Sequence, residues 1–180
     1  MALWYASRAT GVLALLLLTG TAVLGVLSAG RATSGAWPRF AVGAVHRNLS
    51  LLTVTFVAVH VMTAIVDGYA GIAWLDAVVP FVSAYHPFWL GLGAVAFDLL
   101  LALLVTSLLR TRVGPRTWRA VHWAAYACWP VAVVHALGIG ESETRSPLGI
   151  AAATVCVLTV VIAVAWRAGT TSPDQEARTR

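Results

Sequence analysis

Four histidines in apolar segments carry the clearest chemical signal in this chain. His46 and His60 lie fourteen residues apart in one apolar segment, and His122 and His135 lie thirteen apart in another. A helix rises about 1.5 Å per residue, so each pair would span roughly 20 Å along its helix. A neutral imidazole nitrogen is a good ligand for haem iron and other metals. The spacing therefore suits two stacked haems, each held by one imidazole from each helix.

The elements that must position these histidines are membrane helices. Hydrophobic residues make up 59% of the 180 residues and charged residues only 11%, whereas a soluble domain averages about 25% charged residues. This composition excludes an ordinary soluble enzyme and a disordered chain. A membrane span needs about 20 apolar residues, and five segments meet that need: 11–29, 42–66, 88–109, 120–138 and 148–166. The sequence predicts an all-α polytopic membrane protein, a bundle of five transmembrane helices forming a single domain over 1–180, with a short cytoplasmic tail at 167–180.

Arginine placement predicts the orientation of the bundle. Ten of the twelve arginines fall on one side of the five-span arrangement, and only Arg8 and Arg145 fall on the other. Basic residues accumulate on the cytoplasmic side of membrane proteins. The amino terminus is thus expected outside and the carboxyl terminus inside a bacterial plasma membrane. The first segment is expected to stay as an anchor, because its apolar run exceeds the roughly 7–15 residues of a signal peptide.

This orientation makes the second and fourth spans parallel. His46 is then level with His122 near the inner face, and His60 is level with His135 near the outer face. An iron with two imidazole ligands has no open position, so the chemistry left to it is one-electron transfer across the membrane.

Two other interpretations of the histidines stay open. The chain could be a quinol-oxidising cytochrome b-type anchor, or a small transporter or structural protein whose histidines move protons or bind zinc. A single histidine between membrane helices can be a packing contact worth about 1 kcal/mol. Four ionisable residues paired by depth favour ligation over packing.

One geometric detail concerns the shorter spacing. At about 100° per residue, fourteen residues return to within about 40° of the same helix face, but thirteen miss it by about 140°. Pro130 lies between His122 and His135, and a proline removes a helical hydrogen bond and kinks the helix. We therefore expect rewinding at Pro130 to re-aim His135.

The pattern of two histidine helices separated by one span resembles the ferric reductase-like transmembrane domain. That superfamily includes ferric reductases, the membrane part of NADPH oxidases and the haem subunit of bacterial methionine-sulfoxide reductase systems. The resemblance covers about residues 42–158 and rests on three stretches, His46–Leu51, Trp118–Trp123 and Ala125–His135. The first span is similar to a further family helix. The chain most resembles small, stand-alone actinobacterial members.

The resemblance implies cofactors and partners. His46 with His122 would bind an inner haem b, and His60 with His135 an outer haem b. Family members with flavin- and NADPH-binding domains continue beyond the membrane part, so no flavin or NAD(P)H site is expected in this chain. The electron donor would be a separate cytoplasmic flavin or iron–sulfur reductase, or a quinol, and the acceptor would lie outside. The chain would then be an oxidoreductase subunit, and nucleic acid is not an expected partner.

Two arginines are candidate haem-propionate ligands. Arg47 follows one histidine directly, and Arg119 precedes another by about one helical turn. Arginine binds carboxylates through two parallel hydrogen bonds. The general excess of arginine on the cytoplasmic side explains the position of Arg119 as well as propionate binding does, and it explains the position of Arg47 better.

Four other residues have weaker signals. Asp98 in the third span is expected to face the interior as a hydrogen-bonded acid or an ion pair. His86 is expected to be an ordinary interfacial histidine, and Cys128 and Cys156 small buried hydrophobes. The apolar segment 68–87 is expected to lie on, or dip into, the outer face.

Overall fold

The computed structural model describes residues 2–29, 38–140 and 146–169, and its regular elements in these ranges are all helical. They are α1 (Ala2–Ala29), α2 (Arg39–Val66), a 3₁₀ turn (Trp74–Ala77), α3 (Pro87–Leu108), α4 (Arg110–Val113), α5 (Pro115–His122), α6 (Ala125–Ile139) and α7 (Pro147–Gly169).

Five helical segments within the described ranges are long and apolar enough to cross a membrane. Four of them are α1, α2, α3 and α7, and α5 with α6 forms the other as Pro115–Ile139. The predicted all-α polytopic membrane protein with five spans is confirmed. The first helix begins nine residues before the predicted span, and α7 runs three residues into the predicted tail. Residues 170–180 of that tail lie outside the described residues, as does Arg145.

Proline starts three of the helices. Pro87, Pro115 and Pro147 are the first residues of α3, α5 and α7. The first helical position suits proline because its fixed φ is already helical and its missing N–H has no partner there. Gly114 precedes α5 with a φ of 78°, a conformation that glycine adopts without steric cost. These residues fix where the third, fourth and fifth spans begin.

Hydroxyl groups inside the spans bond to their own helices. Thr19, Thr55, Thr106 and Thr159 each donate to the carbonyl four residues earlier, at 2.6–3.1 Å. A polar group in lipid must find its partner within the protein. These bonds satisfy the threonine hydroxyl donors within their own helices, so the threonines are compatible with a membrane span.

The helices pack as two main pairs, α1 with α2 and α3 with α6, and α1 also contacts α6 and α7. Both main pairs are antiparallel, because Ser7 at the start of α1 contacts His60 near the end of α2, and Trp89 at the start of α3 contacts His135 near the end of α6. The two helices with the deepest histidines, α2 and α6, are not a packed pair. We call the end of the bundle where α2 ends the Asp67 end, and the opposite end, where α5 lies, the Arg119 end.

The fourth span is interrupted after His122, and not at Pro130 as expected. The α6 helix runs through Pro130, whereas α5 and α6 are separated by a turn at Trp123–Ala124. Around this turn three amides, those of residues 124, 126 and 127, bond to the carbonyl three residues earlier. Such tight turns rotate about 120° per residue instead of about 100°, so this turn reduces the offset of about 140° between His122 and His135. The rewinding expected at Pro130 is therefore found at Trp123–Ala124.

The segment between α2 and α3 packs on the Asp67 end of the bundle. Its 3₁₀ turn contacts α3, and the Tyr69 ring lies 4.8 Å from the Trp4 ring of α1. Phe81, with a φ of 67°, lies directly against Gly91 of α3, where a side chain would find no room. The segment thus covers one end of the bundle, and its depth in a membrane remains a prediction.

A single hydrogen bond joins α6 to α1 at mid-height. The Trp129 indole Nε1 donates to the Thr19 hydroxyl at 3.0 Å. Interhelical hydrogen bonds in membranes contribute about 0.6 kcal/mol on average and up to about 1.7 kcal/mol. We expect Trp129→Phe to lower the free energy of unfolding in detergent by about 1 kcal/mol. Trp123→Phe is the matched control, because Trp123 is 67% exposed; an equal loss in both variants would contradict this role.

Candidate functional site

The structure brings His60 of α2 and His135 of α6 together near the Asp67 end. Their ring centroids lie 6.5 Å apart and their planes are inclined by 75°. A metal–imidazole nitrogen bond is about 2 Å long, so two imidazoles sharing one metal place their ring centres about 6 Å apart. The separation of the two rings therefore fits one metal between them.

Both of these histidines donate a hydrogen bond to a backbone carbonyl of a neighbouring helix. His60 Nδ1 lies 2.7 Å from the Ser7 carbonyl oxygen of α1, and His135 Nδ1 lies 2.8 Å from the Trp89 carbonyl oxygen of α3. A carbonyl oxygen can only accept, so each Nδ1 carries the proton. In a neutral ring the other nitrogen, Nε2, then has a free lone pair. This is the arrangement usual for metal-binding histidines, whose second nitrogen is held by an outer partner.

A largely apolar cavity of about 710 Å³ surrounds these two rings. Residues of α1, α2, α3, α6 and α7 line it, together with part of the segment that covers the Asp67 end. Sites for cofactors and other small molecules typically measure about 300–1,000 Å³ and are mostly apolar. The gap between α2 and α6 is therefore large enough for a bulky planar group.

His46 and His122 lie towards the Arg119 end, close enough for their imidazole charges to interact. The Nδ1 atoms of both are buried and have no hydrogen-bond partner, and the Thr21 backbone faces the His46 ring outside hydrogen-bond geometry. The Trp118 ring stacks on the His122 ring at 4.7 Å and 23°. Its Nε1 is also buried without a partner. Buried polar atoms in native proteins nearly always have partners, so three unpartnered nitrogens at one level fit a site for a further polar or metal-containing group.

The two candidate arginines are exposed. Arg119 donates from Nε to the Pro115 carbonyl oxygen at 3.2 Å, within α5, and Arg47 follows His46 on α2. Arg119 and Arg47 are thus near the same end as His46 and His122, on different helices.

The other sequence candidates lie in less specific surroundings. Asp98 is half-buried, and the hydrogen bond or ion pair expected for its carboxylate is not found within the described residues. His86 is exposed, with its ring 4.5 Å from the Tyr85 ring. Cys128 and Cys156 are free and buried, as expected for small hydrophobes, and both line the cavity.

Several residues at this site were missed by the sequence analysis. Trp89 contacts His135 through its backbone carbonyl, which any residue type supplies. Ser7 uses its carbonyl in the same way, and its hydroxyl also lies 3.3 Å from Nδ1 and from the carbonyl oxygen of His60. Gly11 and Gly93 lie against the rings of His60 and His135, and each follows a carbonyl partner by four residues. Arg8 donates to the Gly140 carbonyl oxygen at 2.9 Å and lies over the Trp4 ring. A search for glycines spaced as the histidines are, such as Gly11 and Gly25, would have identified the first helix as part of the site.

Each level has two imidazoles, His60 and His135 at the Asp67 end and His46 and His122 at the Arg119 end. No group of three or more His, Cys, Asp or Glu side chains close enough to hold a metal ion occurs in ranges 2–29, 38–140 and 146–169. A bare zinc site needs about four protein ligands, or three with one water. Two imidazoles suit a metal ion that is already held by a cofactor, because the cofactor's own atoms fill the remaining coordination positions.

A comparison with known protein families finds a matching family model. The family model described as "Ferric reductase like transmembrane component" matches residues 10–133. The chain belongs to this family. No curated protein and no solved structure matches the chain.

Membership in the ferric reductase-like family gives the chain a redox role in a membrane. The match begins in α1, so the first helix is part of the family domain, as the resemblance implied. It includes His46, His60 and His122 and ends two residues before His135. The carboxyl-terminal limit is therefore earlier than residue 158, the limit expected from the sequence.

Proposed function

We propose that the chain is a di-haem b-type electron-transfer protein in which all five spans form one haem-binding domain. The observation that carries the proposal is the meeting of His60 and His135, with ring centres 6.5 Å apart, at an apolar cavity of about 710 Å³. Haem iron held by two axial imidazoles supplies one-electron transfer and has no free position for a substrate.

The number of protein donors supports haem over a bare metal ion. Each level offers two imidazoles, and a porphyrin provides the remaining four nitrogens. Zinc held by protein alone would need further His, Cys, Asp or Glu ligands, and none joins these pairs among the described residues. A redox role therefore explains the pairs better than a transporter or structural role does.

At the Asp67 end, the chain's own residues hold and orient the ligands. The Ser7 and Trp89 carbonyls keep the Nδ1 protons on His60 and His135, leaving Nε2 of each ring for iron. The apolar lining supplied by five spans keeps water away from the rings, which lowers the dielectric around a bound redox centre.

At the Arg119 end, His46 and His122 are the proposed ligands of the second haem. Trp118 Nε1 is buried beside His122 and has no hydrogen-bond partner. It could donate a hydrogen bond to a haem propionate. Arg119 and Arg47 are the proposed cationic partners of the propionates at this level. Two haems at two heights would allow an electron to cross the apolar layer in steps.

The direction of transfer forms a further part of the proposal. The excess of arginine near the Arg119 end favours that end as the cytoplasmic one. The donor is then a cytoplasmic flavin or iron–sulfur reductase or a quinol, and the acceptor is outside, beyond the Asp67 end. The chain would act as an oxidoreductase subunit in a bacterial plasma membrane.

Four histidine variants test the ligand assignment. We expect the purified protein, supplied with haem, to show a b-type spectrum on dithionite reduction and to contain two haems. His60→Ala and His135→Ala should each lose the same haem, and His46→Ala and His122→Ala the other. The measurement is haem content per chain together with the redox titration of the haem that remains.

His86→Ala is the matched control, because His86 is an exposed histidine on the same chain. It should keep both haems. A wild-type protein without a Soret band after haem addition, or four variants that do not divide into these two pairs, would disprove the assignment.

The propionate role of Arg119 has its own test. Arg119→Gln should weaken retention of the haem at the Arg119 end, because a charge-assisted hydrogen bond contributes about 1.5–3 kcal/mol. This corresponds to roughly a tenfold or greater rise in the rate of haem loss. Arg116→Gln is the control, since Arg116 is an exposed arginine on the same helix. Equal rates in the two variants would remove Arg119 from the site.

A further inference from the structure

Two glycines lie at the points where the His60 and His135 rings meet neighbouring helices. A Cβ atom placed on Gly11 would lie 2.9 Å from both Cε1 and Nδ1 of His60. A Cβ on Gly93 would lie 2.6 Å from Cε1 and 2.7 Å from Nδ1 of His135. These separations are shorter than any that real side chains tolerate, so both rings occupy space that every other residue type would fill.

Each glycine stands four residues after the carbonyl that the ring uses. Gly11 follows Ser7 in α1, and Gly93 follows Trp89 in α3. In an α-helix a carbonyl accepts from the N–H four residues later, and the side chain of that later residue lies on the same face. A carbonyl oxygen has two lone pairs and can accept a second bond, provided that a second donor can reach it. A glycine at the fourth position clears that approach.

At the His46 level, the corresponding glycine lies farther from the imidazole ring. Gly25 follows Thr21 by four residues in α1, repeating Ser7 and Gly11 after fourteen residues. A Cβ on Gly25 would lie 3.5 Å from His46 Cε1, an ordinary contact. The Thr21 backbone lies near the His46 ring, but Nδ1 of that ring does not reach hydrogen-bond geometry with it. Close approach of the ring to the glycine and a hydrogen bond to the carbonyl therefore occur together.

We infer that Gly11 and Gly93 are positioning residues that select the histidine tautomer. Each opens a helical carbonyl to one imidazole, so that His60 and His135 both carry their proton on Nδ1 and present Nε2 to the cavity before any metal binds. That the presented Nε2 atoms bind haem iron rests on the proposed function; the tautomer assignment does not.

The first test uses haem-free protein. Nitrogen NMR of ¹⁵N-histidine-labelled chain in detergent should show His60 and His135 as Nδ1–H tautomers, assigned by their absence from His60→Gln and His135→Gln samples. Finding both rings of the wild type protonated on Nε2 would overturn the inference, and this measurement requires no glycine variant to fold.

Glycine variants provide the second test. Gly11→Ala should abolish the Nδ1–H signal of His60 and leave that of His135, and Gly93→Ala should do the reverse. Gly43→Ala is the matched control, because nothing lies within 4 Å of a Cβ at that position of α2. Ser7→Ala should keep the His60 signal, because the backbone carbonyl lies 2.7 Å from Nδ1 and the Ser7 hydroxyl is farther away, at 3.3 Å. Unchanged signals in both Gly11→Ala and Gly93→Ala would contradict the inference.

Haem-loaded samples connect the tautomer to the proposed function. Outer partners of metal-binding histidines typically change affinity about 10–100-fold, so Gly11→Ala and Gly93→Ala should speed loss of one haem by that factor. The midpoint potential of that haem should shift positive, because a weaker Nδ1 hydrogen bond makes the imidazole a poorer donor. The other haem, at His46 and His122, reports whether the variant is folded. Absence of haem from the wild type would defeat the proposed function while leaving the NMR result to decide the tautomer.

Discussion

A histidine buried in a membrane protein needs a partner for its Nδ1 proton, and this requirement shapes the bundle. His60 and His135 meet it by donating to carbonyls of α1 and α3. Each bond lies within a main helix pair, α1 with α2 and α3 with α6. Both rings thereby line the same cavity, and Nε2 of each neutral ring keeps a free lone pair. The cavity exists because the histidine helices pack on these neighbours and not on each other.

The two histidine levels differ in how far the protein alone determines them. At the Asp67 end the Nδ1 atoms of both rings have carbonyl partners within the protein. At the Arg119 end His46, His122 and Trp118 each have a buried nitrogen without a partner. Such atoms are costly in a medium of low dielectric. The protein alone therefore satisfies Nδ1 of both rings at the Asp67 end but not at the Arg119 end.

Length and composition were sufficient to predict the five spans, because a bilayer requires long apolar helices and leaves few alternatives. The depth of the histidines followed from helical rise and the parallel course of the second and fourth spans. The expected rewinding at Pro130 is not found, because α6 runs through that residue. The tight turn lies at Trp123–Ala124, where no proline or glycine marks it in the sequence. The Ser7 and Trp89 partners were also beyond prediction, because a backbone carbonyl has no residue signature. Gly11 and Gly93 were the only trace of them in the sequence.

The turn at Trp123–Ala124 has a mechanical consequence. His46 and His60 share one uninterrupted helix, so a shift of α2 displaces both rings together. His122 and His135 are on separate helices joined by this turn, and α5 is only eight residues long. A tilt of α5 can therefore be absorbed at this turn without displacing His135 from the Trp89 carbonyl. Under the proposed function, this would allow the two levels to bind their haems independently.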